Sequence, residues 1–160
     1  MLKYVGPLIV VSDMAAARHF YENLLGQKVE MDFGENVSFA GNFSIHFKPH
    51  FQNLLGGAEH FPVAEKANNG ELHFETDDLD GIYRRLSAAN VSFIHPIIEQ
   101  PWGQRAMRFY DPDGHIIETG ESMEAVVVRM HAAGLTDEAI QQKTGMPLPF
   151  IEAALRSPTP

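Results

Sequence analysis

A carboxylate inside an apolar strand is the first residue in this chain that asks for chemistry. Glu118 sits in His115 to Thr119, HIIET, directly after Asp111-Pro112-Asp113-Gly114. That tetrapeptide has the residues of a type I turn: Asp at the first corner, Pro pre-set at the second and Gly last. A strand should therefore end at Tyr110 and another begin near His115. A dry, unpaired carboxylate on such a strand is strongly disfavoured. Glu118 thus wants a metal, a cation, a hydrogen-bonded ligand or open water. Periodicity alone equally allows it to face solvent.

Around it lie residues suited to binding a small molecule. Phe39, Phe43, Phe47, Trp102, Met107 and Phe109 could line an apolar cleft, or simply fill a core. Trp102 stands between Pro101 and Gly103 at a strand entrance, which suits a pocket better than a core. Arg105 or Arg108 could orient an anionic group. By strand alternation Arg105, Met107 and Phe109 share one face while Arg108 and Tyr110 share the other, so only one arginine can face a cavity. Glu71, His73 and Glu75 share a face in the same way. His50, His60, His95 and His115 sit near turn signals, where solvated histidines are common, and receive no role.

These residues must be positioned by elements, and the elements repeat. Tyr4 to Val11 is a β-branched run, read as a buried strand. Ser12 or Asp13 caps a helix whose Ala17, Phe20, Tyr21, Leu24 and Leu25 recur along one face, with Gly26 as its stop. Strands follow near 27–33, 36–41 and 44–48. The same grammar restarts at Glu71: strand 72–76, a helix capped by Asp77 or Asp78 with Leu79, Ile82, Tyr83 and Leu86 inward, then strands near 92–98, 104–110 and 115–120. Asp13 and Asp78 are about 65 positions apart, the offset of an internal duplication. The expected fold is α+β: two tandem βαβββ modules, about 4–48 and 71–121, forming a curved mixed sheet around a cavity. A linker at 49–70 joins them, with a short helix near 51–55. Helices near 124–133, 136–143 and 147–156 make 122–160 a small C-terminal helical extension to domain 1–121.

Composition narrows the function classes. A net charge of −9 argues against nucleic-acid and anionic-membrane partners, which need a concentrated basic patch. With no cysteine, disulfides, thiolate catalysis and thiolate-bound zinc are excluded. The N-terminal apolar run, Pro7 to Val11, is too short for a leader or a membrane span, so the expected location is cytoplasmic. GLTDEAIQQKTGMP has the outline of a helix-turn-helix, but Arg129, Lys143 and Arg156 face Glu124, Asp137, Glu138 and Glu152 in that tail. A face without excess positive charge does not hold DNA. Exposed sheet edges point to a homodimer.

The stretches PLIVVSDMAAARHFYENLLG, ELHFETDDLDGIYRRLSAANVSF and PWGQRAMRFYDPDGHIIE resemble the vicinal oxygen chelate superfamily, which includes glyoxalase, bleomycin-resistance and extradiol dioxygenase proteins. The match runs over residues 4 to 121, and Pro101-Trp102-Gly103 is most similar to the bleomycin-resistance-like branch, whose members often bind small molecules without a metal. In metal-using members the ligands occupy four positions, corresponding here to Gly6, His46, Glu71 and Glu118. Gly6 departs from the pattern, because glycine carries no donor atom. The resemblance therefore implies a set of His46, Glu71 and Glu118 for a divalent ion (zinc, nickel, manganese or iron), with Glu118 also catalytic; otherwise no cofactor is used.

Three functions follow as expectations. The first is a small-molecule binder of the bleomycin-resistance type, with Trp102, Arg105, Phe47, Met107 and Phe109 contacting the ligand. The others are a metal-dependent lyase, isomerase or dioxygenase acting on a substrate with vicinal oxygens, and a regulatory module whose helical tail recruits a partner.

Overall fold

The computed structural model describes residues 1–156. Among these described residues, eight strands and six helices follow the duplicated order closely. In the first module β1 (Leu8–Val11) leads to α1 (Met14–Arg18), which continues as a wider π-helical segment, His19–Leu24, and then to β2 (Val29–Asp32), β3 (Asn36–Phe39) and β4 (Phe43–Phe47). The sheet order is β1-β4-β3-β2, with β1 and β4 parallel and the others antiparallel. A short helix α2 (Lys48–Leu54) follows. The second module repeats the plan: β5 (Glu71–Glu75), α3 (Leu79–Ala88), β6 (Phe93–Glu99), β7 (Arg105–Tyr110) and β8 (Ile116–Gly120), in sheet order β5-β8-β7-β6.

The caps are those the sequence implies. Asp13 accepts from the amides of Ala15 and Ala16, and Asp78 accepts from Gly81, satisfying the orphan donors of each first turn. Each helix ends in a left-handed residue: Gly26 at φ 68° and Asn90 at φ 56°. The first helix differs from a plain α-helix in its second half. Leu25 N–H reaches back five residues to Phe20 C=O, which widens the turn and lets both Phe20 and Tyr21 be buried.

By compactness the chain divides into two units. One comprises Met1–Glu71 with Tyr110–Ile116; the other comprises Leu72–Phe109 with the chain from Ile117 onward. The first unit has its core between the helix and one face of its sheet. Tyr21 packs on Phe39 and Phe43, whose rings stack at 4.7 Å, and Val11, Ala17, Val37 and Ile45 complete it. Each such buried side chain contributes about 1.5–3 kcal/mol. Because strands alternate, the opposite face carries Asn36, Ser38, Ser44 and His46.

The turn of residues 111–114 belongs to this first unit and explains its own sequence. Gly114 N–H closes on Asp111 C=O at 3.1 Å, with Gly114 at φ 83°. The Asp111 carboxylate is fully buried and accepts four hydrogen bonds: from the amides of Asp113 and His115, from the His115 ring and from Tyr21 Oη. Ser12 donates from its amide and its hydroxyl to Asp113.

In the second unit Tyr83 of α3 meets Phe93, and Phe93 meets Phe109, so the face of β7 bearing Phe109 is the helix-covered one. The helices α4 (Met123–Ala132), α5 (Asp137–Thr144) and α6 (Leu148–Arg156) pack around their own core of Val126, Val127, Met130, Ile140, Ile151 and Ala154. Arg129 ties α4 to the second sheet: its guanidinium donates to Gly103 C=O at 2.6 Å and to Glu121 at 2.9 and 3.1 Å. Lys143 adds an ion pair to Glu99 at 2.6 Å. The tail's cations are thus spent internally. No helix among the described residues is long and apolar enough to cross a membrane.

Candidate functional site

The open face of the first sheet floors a cleft of about 680 Å³. That is the size range of sites for drug-sized molecules. Asn36, Ser38 and Ser44 supply its polar floor, Met31 and Phe33 an apolar flank, and the arm Lys3 to Gly6 an opposite wall. Ser38 Oγ is buried and makes no hydrogen bond among the described residues. A buried hydroxyl without a partner is disfavoured by about 1–3 kcal/mol.

Behind the floor runs a chain of polar groups, joined by two hydrogen bonds and an ion-pair contact. Asn36 Nδ2 lies 3.2 Å from His46 Nδ1, His46 Nε2 lies 2.7 Å from His50 Nδ1, and His50 Nε2 lies 3.4 Å from the Glu35 carboxylate. The two rings stack at 4.9 Å, and Phe51 closes on His46 edge-on. Burial pushes the His46 pKa below its ordinary 6.5, and the neighbouring His50 pushes the same way against the weaker pull of Glu35. His46 is therefore a neutral imidazole with both nitrogens engaged.

A second polar cluster crosses the other sheet on the face of β7 away from α3. Glu118 is buried between two cationic or titratable partners: His73 Nδ1 lies 2.9 Å from one oxygen, and the Arg108 guanidinium forms an ion pair with the other, which has no hydrogen bond of good geometry among the described residues. Arg108 also approaches His95 Nε2 at 3.5 Å, while His95 Nδ1 donates to Pro96 C=O. The carboxylate favours hydrogen on the His73 nitrogen that faces it, Nδ1.

The other residues singled out from sequence have clear places. Met107 and Phe109 are fully buried on the helix-covered side of β7. Arg105 shares that side and pairs with Asp80 of α3 at 2.9 and 3.1 Å. Arg108, the alternative, is the arginine on the Glu118 face. Trp102 is 39% exposed and its Nε1 donates to Gln104 Oε1. Phe47 is half-buried at the start of α2, outside the cleft lining, whereas Phe39 and Phe43 reach it. Glu71 is exposed at the first position of β5.

Among the described residues no group of three or more His, Asp or Glu side chains is placed to hold an ion. Gly6 has a physical reason to be glycine: its φ is 120°, and a Cβ there would stand 1.8 Å from the Asn42 carbonyl oxygen. A donor side chain cannot be carried at that position without moving the arm. His46 has no free ring nitrogen, and an arginine already neutralises Glu118.

Two contributors escaped sequence reasoning. His50 looked like a solvated loop histidine, and the polar floor was not read as a unit. The signal was available in NVSF and FSIHF, where alternation places Asn36, Ser38, Ser44 and His46 on one face.

A family model described as a glyoxalase-like domain matches residues 4–124. No curated protein matches the chain in sequence. Among solved structures, a protein of unknown function from Agrobacterium tumefaciens str. C58 is 38% identical, with a TM-score of 0.68 over 76% of this chain and 95% of that one. A glyoxalase-related enzyme from Fulvimarina pelagi shares 22% identity and a TM-score of 0.64, covering 76% of this chain and 90% of the other. A lactoylglutathione lyase from Agrobacterium tumefaciens, at 22% identity and a TM-score of 0.54, covers 76% and 95%. The last two likenesses carry the fold alone.

Proposed function

The chain belongs to the glyoxalase-like domain family, within the vicinal oxygen chelate superfamily, and from that premise we propose that it binds a small molecule in the cleft of its first module without a divalent ion. The observation that carries this reading is the unpartnered Ser38 hydroxyl at the floor of an apolar-walled cleft of about 680 Å³. A ligand polar group on Ser38, with its apolar body against Met31 and Phe33, completes the hydrogen bonding that the protein leaves open. The arm of Lys3 to Gly6 would hold it from the other side. Arg108 supplies internally the cation that Glu118 needs, which supports a binder that requires no metal. The test is a fragment screen by two-dimensional NMR on the full chain. Binders should shift the amides of Asn36, Ser38 and Ser44, and Ser38→Val should weaken them. Fragments that map only elsewhere would overturn the reading.

The His73–Glu118 pair favours a second reading, that of a lyase or isomerase. With hydrogen on the Nδ1 that faces the Glu118 carboxylate, the neutral His73 ring offers Nε2 as a proton acceptor, the arrangement of a general base. It could take a proton from carbon next to a carbonyl and return it elsewhere. Under this reading His73→Gln abolishes turnover while leaving the second sheet folded. Unchanged turnover in that variant excludes His73 as the base.

A further inference from the structure

The chain of groups behind the cleft has a direction, and the direction sets what the cleft presents. His50 Nε2 faces the Glu35 carboxylate at 3.4 Å, an ion-pair distance at which the negative charge favours hydrogen on that nitrogen. In neutral His50 the other nitrogen, Nδ1, is then an acceptor. At 2.7 Å it takes the hydrogen on His46 Nε2. His46 Nδ1 is in turn left as an acceptor and needs a donor, which Asn36 Nδ2 supplies at 3.2 Å. The opposite sense would set a lone pair of His50 against the Glu35 carboxylate. Each tautomer is thus dictated by the one before it, as second-shell partners fix the rings of other histidine sites.

Asn36 is the only member of this chain that also lines the cleft. One N–H of its amide is given to His46, which fixes the orientation of the amide and holds Oδ1 as an acceptor at a set position. We propose that the relay Glu35–His50–His46–Asn36 makes Asn36 a specificity-determining acceptor, so that the cleft selects small apolar molecules carrying an N–H or O–H donor. This rests on the reading of the cleft as the ligand site and adds the chemical class of ligand. Ser38 adapts to such a ligand, since its hydroxyl both donates and accepts. Asn36 cannot adapt, because turning its amide would put Oδ1 against the lone pair of His46. A site built to bond a donor rejects the isostere that lacks one, because its own acceptor is then left unpaired.

The probes are indole and benzofuran, alike in shape and differing in an N–H donor against a ring oxygen. Titrated into the full chain and followed at the Asn36, Ser38 and Ser44 amides, indole should bind about five-fold or more tighter, the scale of one buried hydrogen bond. Glu35→Gln removes the directing carboxylate, and His50→Ala breaks the relay at its second link. Both positions are partly exposed, so both variants should fold, and in both the preference should fall toward unity with benzofuran still bound. Equal binding of the two probes to the wild-type chain would overturn the inference while leaving the cleft reading intact. Absence of both probes from the cleft would count against the cleft reading itself. In every case nitrogen-15 imidazole spectra decide the relay independently: hydrogen on His46 Nε2 supports it, and hydrogen on Nδ1 overturns it.

Discussion

Arg108 on β7 lays its guanidinium against the buried carboxylate of Glu118 on the neighbouring strand β8. In a family whose metal-using members place a ligand at this terminal position, a protein cation stands beside the carboxylate. Removing one partner of a buried pair leaves the other charge uncompensated. Arg108→Gln should therefore destabilise the chain by about 3 kcal/mol, and the double variant with Glu118→Gln should recover much of that loss. Urea denaturation of the single and double variants measures it. Two additive losses would show that the groups do not depend on one another.

Stability and ligand uptake should not respond to metal removal. Protein prepared without chelator or histidine tag should contain well under one equivalent of zinc, nickel, manganese or iron by mass spectrometry. Its melting temperature should be unchanged by EDTA. One tightly held equivalent whose loss lowers the melting temperature would restore the metal-dependent reading.

Restoring a donor at position 6 should not build a metal site. In Gly6→His the new Cβ meets the Asn42 carbonyl oxygen, and a positive φ strains any side-chain-bearing residue there. The arm should lift from the cleft, weakening indole binding with little change in unfolding free energy, because Tyr4 and Val5 of the arm are already exposed. Nickel binding by this variant at one equivalent would contradict the argument.

Two histidines should shape the pH dependence of stability in opposite ways. Burial works against charge on His115, but the hydrogen bond and field of Asp111, helped by Asp113, outweigh it and raise its pKa above 6.5. Its stabilising contribution is complete below 6.5 and is lost as pH rises through the folded-state value. His46 has a lowered pKa, so the unfolded chain binds its proton first and stability falls as pH drops below 6.5. Denaturation from pH 5 to 9 should show His115→Gln flattening the alkaline decline and His46→Gln flattening the acid one. A variant that shifts the whole curve without changing either slope would refute the assignment for that residue.

Sequence alone carried the architecture a long way. Asp13, Asp78, Gly26, Asn90 and Asp111-Pro112-Asp113-Gly114 act through local hydrogen bonds and dihedral preferences, so their residue types announce their roles. The duplication is visible for the same reason, since each module writes its own caps and periodicity. Glu118 was marked because a carboxylate among isoleucines needs a partner, and that demand is a property of the residue.

Which partner meets the demand is not local. Alternation states that Arg105 and Arg108 face opposite ways but not which face the helix covers; Phe109 meeting Phe93 edge-on, and Phe93 meeting Tyr83 of α3, settles that Arg108 joins Glu118 and leaves Arg105 to Asp80. His50 looked like an exposed loop residue until α2 set its ring 2.7 Å from His46. Gly6 read as a missing ligand, and only the approach of the Asn42 carbonyl shows why no side chain fits. Residue type and spacing determine elements, caps and unmet polar needs, because those arise within a few bonds of the chain. Partners, tautomers and cleft walls depend on contacts between residues distant in sequence, and those exist only once the strands have paired in register.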